Sequence, residues 1–124
     1  ICKNQIKKGI SGTKDLLKLF KNGTSVALMI DQRVSEGIPS KLFNDDALTT
    51  TIPAQFVKKF NAKIVPIYIQ RDLDDKFTIE INKSIEFTKD ETLESITLKL
   101  NEILEKMILR NPDQWIWTHN RWKN

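Results

Sequence analysis

Apolar positions along the chain follow two periodicities. Residues 13–22, TKDLLKLFKN, place Leu16, Leu17, Leu19 and Phe20 on one helical face, and Asn22-Gly23 supplies the left-handed exit that ends helices. Residues 25–30, SVALMI, form a short continuous apolar run, the pattern of a strand buried on both faces of a parallel sheet. Asp31 then falls at the carboxyl end of that strand, the edge where open α/β sheets bind ligands.

Residues 31–48 read as a polar loop with Gly37 and Pro39, longer than most connections and therefore a candidate binding loop. The run Thr49, Thr50, Thr51 offers hydroxyls to cap a helix that carries Pro53 in its first turn and continues to Phe60. Residues 63–70, KIVPIYIQ, predict a second buried strand, which makes 24–70 a strand–helix–strand unit with a right-handed crossover and parallel strands. A charged turn at 71–75 and the alternation at 77–81 predict a hairpin antiparallel to 64–70. Thr88-x-x-Glu91 reads as a capping box opening a long helix whose Leu93, Ile96, Leu100, Ile103, Leu104, Met107 and Ile108 make one apolar stripe. Such a stripe is a core face rather than a cofactor box. The fold class is α/β: parallel strands, a C-terminal hairpin strand and flanking helices, without internal repeat, low-complexity tract or domain boundary.

Composition adds limits. A chain of 124 residues with 40% hydrophobic and 29% charged residues has the make-up of one globular domain, and no run reaches the roughly 18 apolar residues a bilayer span needs. The single cysteine, Cys2, excludes an internal disulfide framework; with no Cys/His cluster it points to no metal site and to a reducing compartment. Net charge is +4 but uneven, with eleven Lys/Arg against five Asp/Glu in residues 1–63. That basic half can face anionic headgroups, an acidic carrier protein or nucleic acid, or can be a solvated surface. The chain starts at Ile1, and its first twelve residues show neither a signal peptide's apolar core nor a clear helix start. It reads as a piece of a longer protein.

Aromatic and basic groups concentrate in residues 110–124, RNPDQWIWTHNRWKN, which hold all three tryptophans and the only histidine. Asn111-Pro112 stops the preceding helix. Trp115, Trp117, His119 and Arg121 then recur at period two, which puts them on one face if the segment is extended. Indole rings pack while their N–H groups seek acceptors, and Arg121 can stack on a ring or bind a carboxylate or phosphate, so these residues form a structural or interfacial clamp. Tryptophan beside basic residues also suits a membrane interface.

The run NPDQWIWTHNRWK resembles the C-terminal signature of the lipid A biosynthesis acyltransferases, Pro-Asp/Glu-Gln-aromatic-x-Trp-x-His-x-Arg-aromatic-Lys. GTKDLLKLFKNGTSVALMIDQ is similar to that family's helix, turn and strand ending in Asp-Gln. LFNDDALTTT is similar to its Phe-Phe-Gly and threonine cluster, and AKIVPIYIQR to its Val-Val-Pro strand. The resemblance covers nearly the whole chain from about Gly12, in order. It implies the C-terminal part of a single glycerolipid-acyltransferase-like domain, residues 1–124, working at the cytoplasmic face of a Gram-negative inner membrane. The implied partners are acyl-acyl carrier protein as donor, the lipid A precursor Kdo2-lipid IVA as acceptor and the membrane surface, with no nucleic acid. No metal or redox cofactor is implied, because a thioester is already an activated acyl donor.

The resemblance also implies site roles. Asp31 and Gln32 organise the acceptor end of the cleft, Thr49, Thr50 and Thr51 line or support it, and Pro66 shapes the pocket wall; the reading of Asp31 as a loop-capping residue stands beside this one. The family's base lies in a His-x4-Asp/Glu motif, whereas Lys123 stands four residues beyond His119. No catalytic residue is therefore expected in this chain, and alone it is expected to be inactive. Asn44 and Asp45 stand where the family has the glycine of Phe-Phe-Gly, and Asn120 replaces an arginine often found beside the histidine. The alternatives are an acyltransferase of the superfamily acting on another glycolipid, such as a phosphatidylinositol mannoside, and a non-catalytic basic module that binds acidic partners or nucleic acid by tryptophan stacking.

Overall fold

The computed structural model describes residues 5–6 and 10–123. Along the chain come α1 (Ile10–Lys21), β1 (Ile38–Leu42), β2 (Asp45–Thr49), α2 (Ile52–Phe60), β3 (Ile67–Arg71), β4 (Phe77–Ile81) and α3 (Leu93–Arg110), then single 3-10 turns at Pro112–Gln114 and Trp117–His119. Cys2 lies outside the described residues.

The core forms where α3 crosses α2. Ile96 and Leu100 meet Ala54 and Val57, and Ile30, Ile64, Ile85, Phe87 and Leu93 close around them. α2 is short but well bounded. Pro53 sits in its first turn, and Asn61, at φ 52°, ends it in a left-handed cap that returns N–H groups to Val57 and Phe56. Phe20 of α1 packs on Phe56 and Phe60, with ring centroids 4.8 and 5.5 Å away.

The hairpin predicted at the C-terminal side of the unit is present, with Ile67 opposite Ile81 and Ile69 opposite Ile79. Its alternate residues Tyr68, Gln70 and Glu80 meet the end of α3: Asn111 Nδ2 donates to the Tyr68 hydroxyl at 2.8 Å and to Gln70 Oε1 at 3.1 Å, while Arg110 lies over the Tyr68 ring and pairs with Glu80 at 2.8 Å. The opposite face, Ile67, Ile69, Phe77, Ile79 and Ile81, is exposed. Residues 63–70 are thus not a strand buried on both sides. Ile64 makes only a bridge to Ile85, and β3 starts after Pro66, which has no N–H to give a ladder.

Three further expectations are corrected. Residues 25–30 are not a strand; they run without regular structure, with Met29 75% exposed, because an apolar run becomes a strand only where a neighbour takes its backbone N–H and C=O groups. The parallel crossover unit is accordingly absent, and among the described residues both sheets are two-stranded and antiparallel. The 31–48 loop instead contains the β1–β2 hairpin, with Leu42 opposite Asp45 across a two-residue turn in which Phe43 (φ 52°) and Asn44 (φ 67°) are both left-handed. Two-residue hairpin loops of the I′ kind demand positive φ at both positions. Asn44 therefore supplies, where the family motif has glycine, the conformation that asparagine tolerates best after glycine.

α3 begins one turn later than the capping box indicates. Thr92 is its cap, accepting from the Ser95 N–H at 3.1 Å, while Thr88 and Glu91 close a separate turn in which the Thr88 N–H donates to Glu91 Oε2 at 2.6 Å. Of the apolar stripe, Ile96, Leu100 and Ile108 are fully buried. The tail is not extended: its two 3-10 turns replace the period-two strand.

Two predictions follow from packing and charge. A Cβ at Gly37 would sit 2.5 Å from the Thr49 carbonyl oxygen, so Gly37→Ala is expected to destabilise by about 1–3 kcal/mol, the usual size of an overpacking penalty, read as a lower midpoint in urea. An unchanged midpoint would refute that close approach. The Arg110 hydrogen bond and charge hold the Glu80 carboxyl below the usual carboxylate range. A carboxyl depressed on folding stabilises above its unfolded pKa and loses that contribution as pH falls through its folded one, so Glu80→Gln should lower stability slightly in the neutral region and flatten the acid limb, the two proteins converging at pH below the folded pKa of Glu80.

Candidate functional site

Thr49 ends β2 with its side chain on the buried face of the hairpin, 2% exposed. Its hydroxyl donates to the Ala47 carbonyl at 2.9 Å and accepts from Asn101 Nδ2 at 3.2 Å and from Arg121 Nη2 at 2.9 Å. Asn101, on α3, also donates to the Lys41 carbonyl at 2.9 Å. Arg121 donates from Nη1 to the Leu48 carbonyl at 2.6 Å. A β-hairpin, a helix and the tail thereby meet at one hydroxyl. Burial lowers the pKa of the Arg121 guanidinium, the Asp31 carboxylate opposes that shift, and the like charge of Arg33 adds to it. The guanidinium keeps its proton regardless, since arginine is not deprotonated in proteins. Arg121 Nε, Asn101 Oδ1 and Ser40 Oγ are buried without a hydrogen-bond partner among the described residues.

Around this junction the tail binds two loops. Arg33, two residues past Asp31, donates its backbone N–H to His119 Nε2 at 3.1 Å and its Nε to the Lys123 carbonyl at 2.7 Å. A ring nitrogen that accepts carries no proton, so a neutral His119 bonded in this way holds its proton on Nδ1. Trp122 Nε1 donates to the Leu42 carbonyl at 3.0 Å, and the Phe43 N–H donates to Glu105 Oε1 at 2.6 Å. Phe43, Trp115, Trp117 and Trp122 form one ring cluster: Trp115 meets Trp117 edge-on at 4.6 Å, and Phe43 lies 6.3 and 6.4 Å from Trp117 and Trp122. The strained Phe43 turn is thus held by a carboxylate on one side and indoles on the other.

The residues singled out from sequence divide into groups. Asp31 and Gln32 are half-buried at the head of the segment tied to the tail, and Asp31 lies within Coulombic reach of Arg121. Thr49 is buried in the junction, with its hydroxyl engaged by Ala47, Asn101 and Arg121. Thr50 and Thr51 are half-buried at the start of α2, where Thr50 Oγ1 accepts the Ile52 N–H at 3.3 Å and Thr51 Oγ1 accepts from Gln55 at 2.9 Å. Pro66 precedes β3, and its carbonyl takes the Asn82 N–H at 3.0 Å. Arg121 commits its terminal nitrogens to a carbonyl and a hydroxyl rather than to a carboxylate or phosphate. Trp117 is 49% exposed and donates Nε1 to the Pro112 carbonyl at 2.6 Å.

Sequence reasoning missed Asn101 and Glu105, and it counted Trp122 among the tail's tryptophans without its Leu42 partner. The available signal for Asn101 was its place beside Leu100 and one turn beyond Thr97, two polar residues flanking an apolar stripe. Among the described residues no group of three His, Cys, Asp or Glu side chains could hold a metal ion, and no helix is long and apolar enough to cross a membrane.

A small mixed α/β framework in which an aromatic and basic tail fastens an Asp-Gln segment and a threonine-ended hairpin is the arrangement to be placed among known proteins. The family model for bacterial lipid A biosynthesis acyltransferases matches residues 3–124, and the chain belongs to that family. A lipid A biosynthesis acyltransferase of Haemophilus influenzae is 33% identical over 82 residues, covering 63% of this chain and 26% of the relative. The chain spans about a quarter of the length of that relative.

The junction predicts a steep dependence on one hydroxyl. Thr49→Val leaves donors on Asn101 and Arg121 unpaired, and each buried unsatisfied group costs about 1–3 kcal/mol; Thr49→Ser should retain most of the stability. Urea unfolding of the two variants measures the difference, and a larger loss in Thr49→Ser than in Thr49→Val would mean that the methyl group rather than the hydroxyl matters.

Proposed function

We propose that the protein carrying this chain is an acyltransferase that moves a fatty acyl group from acyl-acyl carrier protein to a hydroxyl of the lipid A precursor Kdo2-lipid IVA, at the cytoplasmic face of the inner membrane. The observation that carries the reading is the family match over residues 3–124, in a chain whose tail is hydrogen-bonded to the segment bearing Asp31. In such a transfer the acceptor oxygen attacks the thioester carbonyl, a base removes the hydroxyl proton, and the carrier thiol leaves. Asp31 would orient the acceptor hydroxyl or its sugar, Gln32 would offer it both a donor and an acceptor, and Thr50 and Thr51 would support that wall of the cleft from the start of α2.

His119 is a poor choice of base, because Nε2 already accepts the Arg33 N–H and Lys123 stands where a partner acid would be. The base is assigned to a His-x4-Asp/Glu motif upstream of these residues. Ile116 and Trp117, 71% and 49% exposed, suit headgroup depth at a membrane surface. Trp115 and Trp117 pack edge-on at 4.6 Å within one ring cluster rather than standing apart as a row of stacking platforms, which favours the acyltransferase reading over a nucleic-acid module.

Asp31→Asn in the natural gene product should reduce acyl transfer to Kdo2-lipid IVA by at least about tenfold, the scale of a misplaced reactant, with the carrier still bound. Full activity in an assay with purified acyl carrier protein would remove Asp31 from the site, and transfer to a different glycolipid alone would move the enzyme to another branch of the superfamily.

A further inference from the structure

We infer that His119 and Arg121 are a positioning pair for residues 31–33, His119 as a hydrogen-bond acceptor and Arg121 as a buried donor to the Leu48 carbonyl that also receives the Val34 N–H. The structural half stands on the hydrogen bonds alone; its catalytic consequence rests on the reading of Asp31 as the acceptor-site acid.

Residues 31–33 belong to no helix or strand. Arg33 and Val34 are attached to the tail and to the hairpin the tail grips. The Arg33 N–H goes to His119, Arg33 Nε goes to the Lys123 carbonyl, and the next N–H, that of Val34, goes to the Leu48 carbonyl at 3.4 Å. The same Leu48 carbonyl accepts Arg121 Nη1. Residues 119, 121 and 123 thus each hold one point of the segment or of its support, which gives the period-two spacing of the tail a meaning although the tail is not a strand.

The two side chains act differently. Arg121 is 1% exposed and has both terminal nitrogens engaged, so it stands outside substrate reach and acts through the Leu48 carbonyl, which also takes the Val34 N–H. His119 is exposed, but its lone pair is spent on an amide two residues past Asp31. Loss of that acceptor frees the backbone that carries the carboxylate, while the core of α2 and α3 is untouched.

The test uses the natural gene product with His119→Ala, His119→Gln, Arg121→Lys and Asp31→Asn. His119→Ala should raise the acceptor KM or lower the acceptor kcat/KM about tenfold, since small displacements near a reacting group cost one to two orders of magnitude. The carrier KM and the thermal midpoint should stay nearly constant. His119→Gln, whose amide oxygen can accept the Arg33 N–H, should recover most of that loss, and Arg121→Lys should keep part of the acceptor kcat/KM because its ammonium can still donate to the Leu48 carbonyl. The imidazole ¹⁵N signal that disappears in His119→Gln should report a proton on Nδ1.

A proton on Nε2, a collapse of kcat that glutamine does not rescue, or parallel loss of both substrates with thermal stability would overturn the inference. If Asp31→Asn is inactive while His119→Ala is normal, the inference fails and the Asp31 reading survives. If Asp31→Asn is fully active, the Asp31 reading and the catalytic half of the inference fail together, and the nitrogen spectrum decides the structural half.

Discussion

One hydroxyl group, that of Thr49, has every hydrogen-bonding capacity in use. A threonine offers one donor and two acceptor positions; the first goes to its own strand at Ala47, and the others take a helix side chain, Asn101, and a tail side chain, Arg121. An apolar contact at this point would tolerate sliding and rotation, because dispersion is non-directional. Three directed bonds with desolvated partners do not. The arrangement gives up some stability, since Arg121 and Asn101 each keep a buried polar atom without a partner, and buried polar groups often cost more than an apolar replacement of the same shape. What it secures is a fixed relation among the hairpin, α3 and the tail.

Elements whose own periodicity decides their fate were legible in the sequence. α2, the β3–β4 hairpin and the apolar stripe of α3 all lie where pattern places them, with ends shifted by a few residues. The shift at α3 has a local reason: Thr88-x-x-Glu91 and Thr92-x-x-Ser95 both offer a first-turn hydrogen bond, and the second lies adjacent to Leu93, where the stripe begins. Residues 25–30 show the opposite case, because an apolar run has no preference of its own between strand and loop until a neighbouring strand is present. The β1–β2 hairpin was hidden by Pro39 within a strand and by a turn whose first residue, Phe43, is not one that favours a left-handed backbone.

The candidate site was legible as a set of residue types and much less as a set of contacts. Trp115, Trp117, His119 and Arg121 were visible as a cluster, but period two suggested a shared face, whereas the chain turns twice and sends them to different partners. The link between Asp31 and the tail was invisible, because nothing in either segment encodes a pairing across 86 residues. Family membership fixes the order of the motifs along the chain; the hydrogen bonds supply their meeting in space.

The separation between those partners has a kinetic side. The contacts joining Arg33 to His119, Leu48 to Arg121 and Leu42 to Trp122 span 86, 73 and 80 residues, so each closes a long loop, and the entropy of closure must be met before the contact returns anything. Their closures overlap, however, and once one has formed the others add little further loop. By loop-closure entropy alone the β3–β4 hairpin, built from near neighbours, costs least to close and the contacts of the tail cost most. In synthesis from the amino end, Arg33, two residues past Asp31, precedes by 86 residues the histidine that accepts its N–H.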